Sequence, residues 1–192
     1  MVEVLTNFRC TNSCFFVAVG LIDQYFKTVP TKLLIKDLHC IGVVCMFIAS
    51  KYEDIYPLKL SVVHEKIAHR KLSVEQMRDK ESEILQTLDF DIRHPTLYDF
   101  LTIYQEHALR PNLTLIQLTD SYELIDLLSI YVAKMVYHDY DLSQLSPSLL
   151  AASSLYVALK LTEKFKKSSG IINERFIVKL CEMSQKSETE II

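Results

Sequence analysis

Two charged residues, Lys51 and Glu81, occupy positions where the surrounding sequence is apolar. Lys51 follows the uncharged run 40–49 and suits the negative C-terminal end of a helix. Glu81 lies four residues from both Met77 and Leu85 in an apolar helical stripe, where an unpaired carboxylate would be costly. Either the stripe reaches the surface there or a neighbouring lysine pairs with Glu81. Alternatively, this face receives another protein, and Glu81 accepts hydrogen bonds from it.

No other group of residues has the spacing of a catalytic or metal site. The segment HEKIAH, residues 64–69, is close to the zinc-protease motif, but its histidines are five residues apart and would lie about 140° apart on a helix. The pairs Cys10/Cys14 and Cys40/Cys45 lack the spacing of structural zinc ligands, which favours thiols buried in a core. A glycine-rich phosphate loop and a nucleophile elbow are also absent from the sequence. We therefore expect no enzymatic activity, no metal and no cofactor.

Composition limits the partners that this chain can have. A formal net charge of -3 over 192 residues argues against a strongly basic nucleic-acid-binding protein. The uncharged run 40–49 is shorter than the roughly 18 residues that a membrane-spanning helix needs, and no secretory signal pattern opens the chain.

The 5 cysteines of the chain lack disulfide-scaffold spacing, which indicates reduced thiols. We expect a protein of the nucleus and cytoplasm that binds neither nucleic acid nor membranes.

The periodicity of apolar residues, together with only 3 glycines and 5 prolines, predicts an all-α protein. Capping residues and helix breakers predict helices over 1–8, 12–27, 38–51, 60–68, from 73 to about 88, 95–109, 120–137, and from 146 and 173 onward. Asn12 or Ser13 is expected to cap the second helix, and Ser73 with Gln76 is expected to form a capping box at the start of the fifth. The last eight or so residues are expected to fray.

The helix over 38–51 is expected to lie at the centre of a bundle, because its middle is apolar on all sides. Gly42, Cys45 and Ala49 recur on one face, where a neighbouring helix could approach closely. Acidic residues after Lys51 would be unfavourable at the helix end, so we predict that the helix ends near Lys51.

An internal repeat sets the predicted architecture. A shift of 109 residues lays residues 42–51 over 151–160, and the same shift lays 15–22 over 124–131, with small residues in register. Two helices that match at one offset indicate two similar helical bundles in tandem.

The repeat predicts a domain over 1–93 and a second domain over 94–192. The second copy opens with a full helix over 95–109, whereas the first copy has only residues 1–8 at the corresponding place. We therefore expect that most of the opening helix of the first bundle belongs before Met1.

Four segments resemble the cyclin family, in particular the mitotic A/B-type cyclins. ASKYEDIYP, residues 49–57, is similar to the segment A-S-K-[YF]-E-[ED]-I-Y-P of the first cyclin box. Residues 21–26 (LIDQYF), 80–101 (KESEILQTLDFDIRHPTLYDFL) and 146–152 (SPSLLAA) resemble further family segments. The resemblance covers nearly the whole chain.

This resemblance implies two tandem five-helix cyclin boxes and a regulatory subunit that binds and activates a cyclin-dependent kinase in cell-cycle control. The lysine and glutamate at the positions of Lys51 and Glu81 would hydrogen-bond the kinase backbone near its mobile regulatory helix. Four further positions would provide apolar contact with the kinase: Tyr52, Leu85, Phe90 and Ile92. A non-activating cyclin-fold adaptor or a degraded cyclin copy is the alternative.

The resemblance also implies a surface that docks R-x-L segments of substrates and inhibitors. Glu3, Leu38 and His39 match the remaining positions of this surface, with His39 in place of the usual glutamine. Most of the surface belongs to the segment expected before Met1, which weakens the expectation of docking. Asp23 would pair with an arginine of that same segment, and Gln24 stands where the family usually has arginine.

Overall fold

The computed structural model describes residues 1–30, 33–113, 121–166 and 172–192. None of these residues lies in a β-strand, and the helices form two compact units, Met1–His94 and Pro95–Ile192. The all-α class predicted from the sequence is confirmed. Within the described residues, no helix combines the length and the apolarity that a bilayer crossing requires.

The described residues of the first unit form five helices. They are α1 (Val2–Asn7), α2 (Asn12–Thr28), α3 (Ile35–Glu53), α4 (Leu60–Val62, continued by a π-helix over Val63–Ile67) and α5 (Val74–Thr87). The predicted capping box is present at the start of α5, where the Ser73 hydroxyl accepts from the Gln76 amide at 3.1 Å and the Gln76 side chain accepts from the Ser73 amide at 2.8 Å. At the start of α2, the cap is Thr11 rather than Asn12 or Ser13, and its hydroxyl accepts from the Cys14 amide.

Helix α3 is the centre of the first unit, as its sequence predicted. Ile41 and every residue over 43–50 are buried, while α2 and α5 pack against α3. The helix extends to Glu53, two residues beyond the predicted end. Ala49 is fully buried, but Gly42 is only partly buried and has room around it: a Cβ added there would meet no atom nearer than Met1 Cε, at 4.0 Å. The close helix approach expected at Gly42 is therefore not observed.

Replacing Gly42 or Gly20 by alanine is expected to stabilise the protein. Both glycines lie inside helices, and a Cβ at Gly20 would meet nothing within 4 Å. Alanine is favoured over glycine in a helix interior by about 0.8–1 kcal/mol. Urea unfolding should show a higher midpoint with an unchanged slope for each variant. A lower midpoint would mean that one of these positions is crowded.

The second unit repeats the order of long helices. It contains α6 (Leu97–Tyr104, continued by a π-helix over Gln105–Leu109 and a 3-10 turn over Arg110–Asn112), α7 (Tyr122–Val136), α8 (Tyr140–Ser143), α9 (Pro147–Lys166), α10 (Glu174–Ser184) and α11 (Glu188–Ile191). Shifting α2 by 109 residues places it over α7, and shifting α3 places it over most of α9. The predicted start of the helix at Asp120 lies outside the described residues.

Polar contacts hold the second unit together beside its apolar core. The buried Gln105 amide donates to Asp126 Oδ1 at 3.1 Å and to Ser129 Oγ at 2.7 Å, which joins α6 to α7. The Tyr104 hydroxyl lies 2.7 Å from Ser148 Oγ, which joins α6 to α9. The chain end was expected to fray, but its last residues form α11, in which Glu190 Oε2 accepts from the Ser187 amide at 2.9 Å and Ile191 is buried.

Candidate functional site

Lys51 and Glu81 meet at the surface of the first unit. Lys51 lies in the last turn of α3 and Glu81 in the middle of α5, and Lys51 Nζ donates to Glu81 Oε1. The Lys51 side chain is 41% exposed and that of Glu81 is 17% exposed. The carboxylate in the apolar stripe is thus explained by a neighbouring lysine and by a surface position. Both side chains remain accessible to another protein.

The Lys51 side chain is also held against an aromatic ring. Its Nζ lies 4.3 Å from the centroid of the Phe47 ring, one turn earlier in α3. A cation over a ring face is attracted to the ring at this distance. The ring therefore keeps the ammonium group near the end of α3, where Glu81 reaches it.

Helix α5 is fixed to α2 by a second polar contact, two residues from Glu81. The fully buried Tyr25 donates its hydroxyl hydrogen to Glu83 Oε1 at 2.5 Å, and Lys80 Nζ contacts Glu83 Oε2 at 2.6 Å. Glu81 therefore faces α3 while Glu83 faces α2, so α5 is anchored on two sides. Sequence reasoning did not identify the Tyr25–Glu83 contact, because it joins residues 58 positions apart.

Stability of the first unit is expected to decrease in acid through Glu83. Burial alone would raise the pKa of Glu83, but hydrogen bonds from Lys80 and Tyr25 outweigh it and lower the pKa below its ordinary value of 4.5. A lowered pKa in the folded state contributes stability above the unfolded-state pKa, and this contribution disappears as the pH falls through the folded-state pKa. The contribution of Glu83 to the free energy of unfolding should stay under about 1 kcal/mol, because its side chain is 46% exposed and solvent screens its charge.

Unfolding of the wild-type protein and the Glu83→Gln variant between pH 7 and pH 3 measures this contribution. Glutamine still accepts from Tyr25 but does not titrate. The difference in stability between the two proteins should therefore shrink below about pH 4.5. A constant difference across this range would show that Glu83 does not contribute to the acid sensitivity.

The C-terminal end of α3 is held by Asp54, the residue after the helix. Its carboxylate accepts from the Thr11 amide and from the Ser50 hydroxyl, each at 2.8 Å. The buried Ser50 hydroxyl in turn accepts from the Leu58 amide at 2.9 Å. Burial would raise the pKa of Asp54, but the hydrogen bonds from Thr11 and Ser50 outweigh it and lower the pKa. These contacts fix the backbone just beyond Lys51.

The structure leaves large apolar side chains exposed around the ends of α3 and α5. Tyr52 is 44% exposed and Phe90 is 65% exposed, while Leu85 and Ile92 are partly buried. Two neighbours that sequence reasoning had not assigned to a site, Ile55 and Tyr56, are 90% and 92% exposed. Their position in the quoted segment 49–57, directly after Lys51 and Tyr52, was the available signal.

Phe90 is exposed because the chain reverses sharply after α5. The Phe90 amide donates to Leu85 O at 2.8 Å and the Asp89 amide donates to Gln86 O at 3.1 Å, which is the Schellman arrangement. Asp89 and Phe90 have φ values of 50° and 58°. A bulky residue in the left-handed region is strained, and such strain is frequent at functional sites.

The residues predicted for the docking surface, and Asp23, lie on α1, α2 and α3. Glu3, Leu38 and His39 are all exposed, the first on α1 and the other two adjacent on α3. Asp23 is exposed on α2, and no described lysine or arginine lies within ion-pair distance of it. Desolvation raises the pKa of Asp23, and the charge of Lys27 opposes this shift. The predicted roles of these residues stay predictions.

The structure also brings together three possible metal ligands, although the spacing of the cysteines had predicted no metal site. The sulfur atoms of Cys10 and Cys14 and one carboxylate oxygen of Asp54 lie within 4.8 Å of one another. Burial, followed by the negative charge of Asp54, raises the pKa of Cys10 to about 11, and the same two causes raise the pKa of Cys14. Sequence reasoning missed this group because Asp54 is 40 residues or more from the cysteines along the chain.

Comparison with known proteins identifies the family to which this chain belongs. Residues 1–93 match the cyclin N-terminal domain and residues 95–187 match the cyclin C-terminal domain. The chain therefore belongs to the cyclin family, as its motifs had indicated.

Its similar relatives include G2/mitotic-specific B-type cyclins. Cyclin-B1 of Oryzias latipes is 31% identical over 167 residues, which are 85% of this chain and 37% of that protein. Cyclin-B3 of Mus musculus is 33% identical over 161 residues, 83% of this chain and 10% of that protein. The chain thus spans little more than a third of cyclin-B1 and a smaller part of cyclin-B3.

A solved structure supports the fold. The X-ray structure of a viral cyclin from herpesvirus saimiri has a TM-score of 0.79 and covers 98% of this chain and 75% of its own. The sequence identity is 19%, so this likeness concerns the arrangement of helices alone. It confirms the expectation of two tandem cyclin boxes.

Proposed function

We propose that this chain is a regulatory subunit that binds and activates a cyclin-dependent serine/threonine kinase in cell-cycle control. The observation that carries the proposal is the meeting of Lys51 and Glu81 on an accessible surface, beside the exposed Tyr52. In our proposal both charged groups hydrogen-bond the kinase backbone, while Phe90 and its neighbours supply apolar contact. The chain contributes no catalytic group of its own.

The ion pair between Lys51 and Glu81 is compatible with this role. An ammonium group has three donors and a carboxylate has about four acceptor positions, so one mutual hydrogen bond leaves capacity for a partner. An exposed ion pair is worth at most about 1 kcal/mol, so little free energy is lost if the partner rearranges it. The pair also positions the two groups before the kinase arrives, which lowers the entropic cost of binding.

Activation would follow from a population shift. If the chain binds the active arrangement of the kinase helix and activation loop more tightly than the inactive one, the active arrangement becomes more populated. The lysine–glutamate pair of the kinase, which phosphoryl transfer requires, is then in place. The size of the activation is limited by the difference between the two affinities.

A non-activating adaptor or degraded cyclin copy is the second candidate. The Lys51–Glu81 pair is compatible with this candidate as well, because an ion pair can stabilise a surface without any kinase. Such a chain would still have the cyclin fold and could still bind other proteins, but it would not increase phosphate transfer.

A pull-down from cell extract followed by a histone kinase assay separates the two candidates. The proposal predicts that a cyclin-dependent kinase is recovered with the tagged chain and that the recovered complex phosphorylates histone. Recovery of the kinase without phosphate transfer would favour the adaptor. Absence of any cyclin-dependent kinase among the recovered proteins would contradict both kinase binding and activation.

We further propose that the chain acts in the nucleus and cytoplasm. All five cysteines are free thiols, which suits a reducing compartment. Imaging of a fluorescently tagged chain tests this placement, and a signal confined to a secretory organelle would contradict it.

A further inference from the structure

We propose that Cys10, Cys14 and Asp54 form a binding site for Zn²⁺ or a similar thiophilic divalent cation. Their three ligand atoms lie within 4.8 Å of one another. Two thiolates bound to one tetrahedral zinc ion are about 3.8 Å apart, so small side-chain rotations would bring the three atoms to coordination distance. Two sulfur ligands favour zinc over Ca²⁺ and Mg²⁺, whose protein sites are built from oxygen atoms.

The backbone already holds both cysteines in place. The Cys10 amide donates to Leu5 O at 2.9 Å, as part of the turn that ends α1. Cys14 lies in the first turn of α2, and its amide donates to Thr11 Oγ1 at 3.3 Å. Ligands on fixed backbone segments need little reorganisation to bind an ion.

The third ligand is oriented by neighbouring polar groups. Asp54 accepts from the Ser50 hydroxyl and from the Thr11 amide, so its carboxylate has a defined orientation beside the two sulfur atoms. Hydrogen bonds of this kind to ligating carboxylates position the ligand and raise metal affinity in known sites. Among the described residues, no other three His, Cys, Asp or Glu side chains bring ligand atoms this close.

The site also has access to solvent. Cys14 is fully buried, whereas Cys10 and Asp54 are partly exposed, so an ion can enter and water can supply the fourth ligand. Binding requires that each thiol release its proton to the solvent. Two thiolates and one carboxylate then carry three negative charges, of which a divalent cation neutralises two.

A bound ion would join two segments that are distant in sequence. It would connect the start of α2 to the residue that follows α3, three positions beyond Lys51. An ion that binds only the folded protein raises its melting temperature. This inference does not depend on kinase binding, because the site contains neither Lys51 nor Glu81.

Cobalt binding to the full chain tests the proposal. The purified, fully reduced protein is freed of metal with a chelator and then titrated with Co²⁺ while absorbance is recorded. We expect thiolate-to-cobalt charge-transfer bands that saturate at one equivalent and disappear when Zn²⁺ displaces Co²⁺. We also expect Zn²⁺ to raise the melting temperature.

Three variants identify the ligands. Cys10→Ser with Cys14→Ser should remove the charge-transfer bands and the rise in melting temperature. The control Cys40→Ser with Cys181→Ser, which replaces two partly exposed cysteines, should keep both. Asp54→Asn, which keeps the size of the side chain and the acceptor oxygen for the Thr11 amide but loses the acceptor for the Ser50 hydroxyl, should bind Co²⁺ at least about tenfold more weakly. If the first double variant does not fold, Cys10→Ser alone replaces it, because Cys10 is partly exposed.

Two results would overturn the site. One is the absence of charge-transfer bands in the folded, reduced wild-type protein. The other is cobalt binding of wild-type strength in both Asp54→Asn and the cysteine variant that folds.

Discussion

Exchanging the two charges, Lys51→Glu with Glu81→Lys, is expected to weaken kinase binding at least about a hundredfold and to leave the protein folded. The exchanged residues can still form an ion pair with each other, so the contact between α3 and α5 is retained. In the proposed complex, however, a donor would stand where the kinase offers a donor, and an acceptor where it offers an acceptor. Two lost charged hydrogen bonds cost about 3 kcal/mol or more, which corresponds to this factor.

The stability of the exchanged variant should fall by about 2 kcal/mol or less. A glutamate at the C-terminal end of α3 is unfavourable by less than about 1 kcal/mol, and the lost contact between Lys51 and the Phe47 ring costs about as much. A matched control exchanges Lys179 and Glu182, an exposed ion pair at 3.3 Å in the second unit. Calorimetric titration with the purified kinase measures both variants. Binding of wild-type strength in the Lys51/Glu81 exchange would remove the assigned role of this pair.

Replacing Phe90 by asparagine is expected to weaken kinase binding about thirtyfold while the isolated protein becomes no less stable. A large aromatic side chain at the centre of an interface is commonly worth about 2 kcal/mol when truncated, which corresponds to this factor. In the isolated protein Phe90 is 65% exposed and has a φ of 58°, a conformation that asparagine adopts more readily. Phe90→Asn should therefore weaken kinase binding without lowering the stability of the isolated protein.

The same substitution type at Gln185 provides the control. Gln185 ends α10 with a φ of 55° and is exposed, but it belongs to no predicted contact. Gln185→Asn should match Phe90→Asn in its effect on stability and should not change kinase affinity. If Phe90→Asn bound the kinase as tightly as the wild-type protein, Phe90 would lie outside the interface.

Helices could be predicted from the sequence where their capping residues and apolar residues lie within the helix or next to it. Ser73 and Gln76 form the capping box that their spacing predicted, and Asn173 caps α10 through a 2.9 Å hydrogen bond to the Phe176 amide. The central place of α3 followed from its uncharged middle, since such a helix must be enclosed on all sides. These features depend on residues a few positions apart.

Features that depend on distant residues could not be predicted in this way. Glu53 and Asp54 were expected to end α3 early, but Asp54 accepts from the backbone at the start of α2 and the helix continues to Glu53. The same tertiary contact places Asp54 beside Cys10 and Cys14. Spacing between the two cysteines alone contains no information about this third ligand.

The candidate kinase-binding site was predicted only in part from the residues themselves. Glu81 stood out as a charge within an apolar stripe, yet its pairing with Lys51 required both residues to be placed in one fold. The cyclin resemblance supplied that placement, and the structure brings the two side chains together. Their contact with a kinase stays a prediction until the charge exchange is measured.

The uninterrupted burial of α3 over residues 43–50 has a consequence for how the first unit opens. An amide in this segment can reach deuterated water only when the helices packed around α3 separate, because no side of the helix faces solvent. These amides should therefore exchange last and together, at a rate set by unfolding of the entire unit. The turn after α5, with exposed Phe90, should exchange much sooner through local opening.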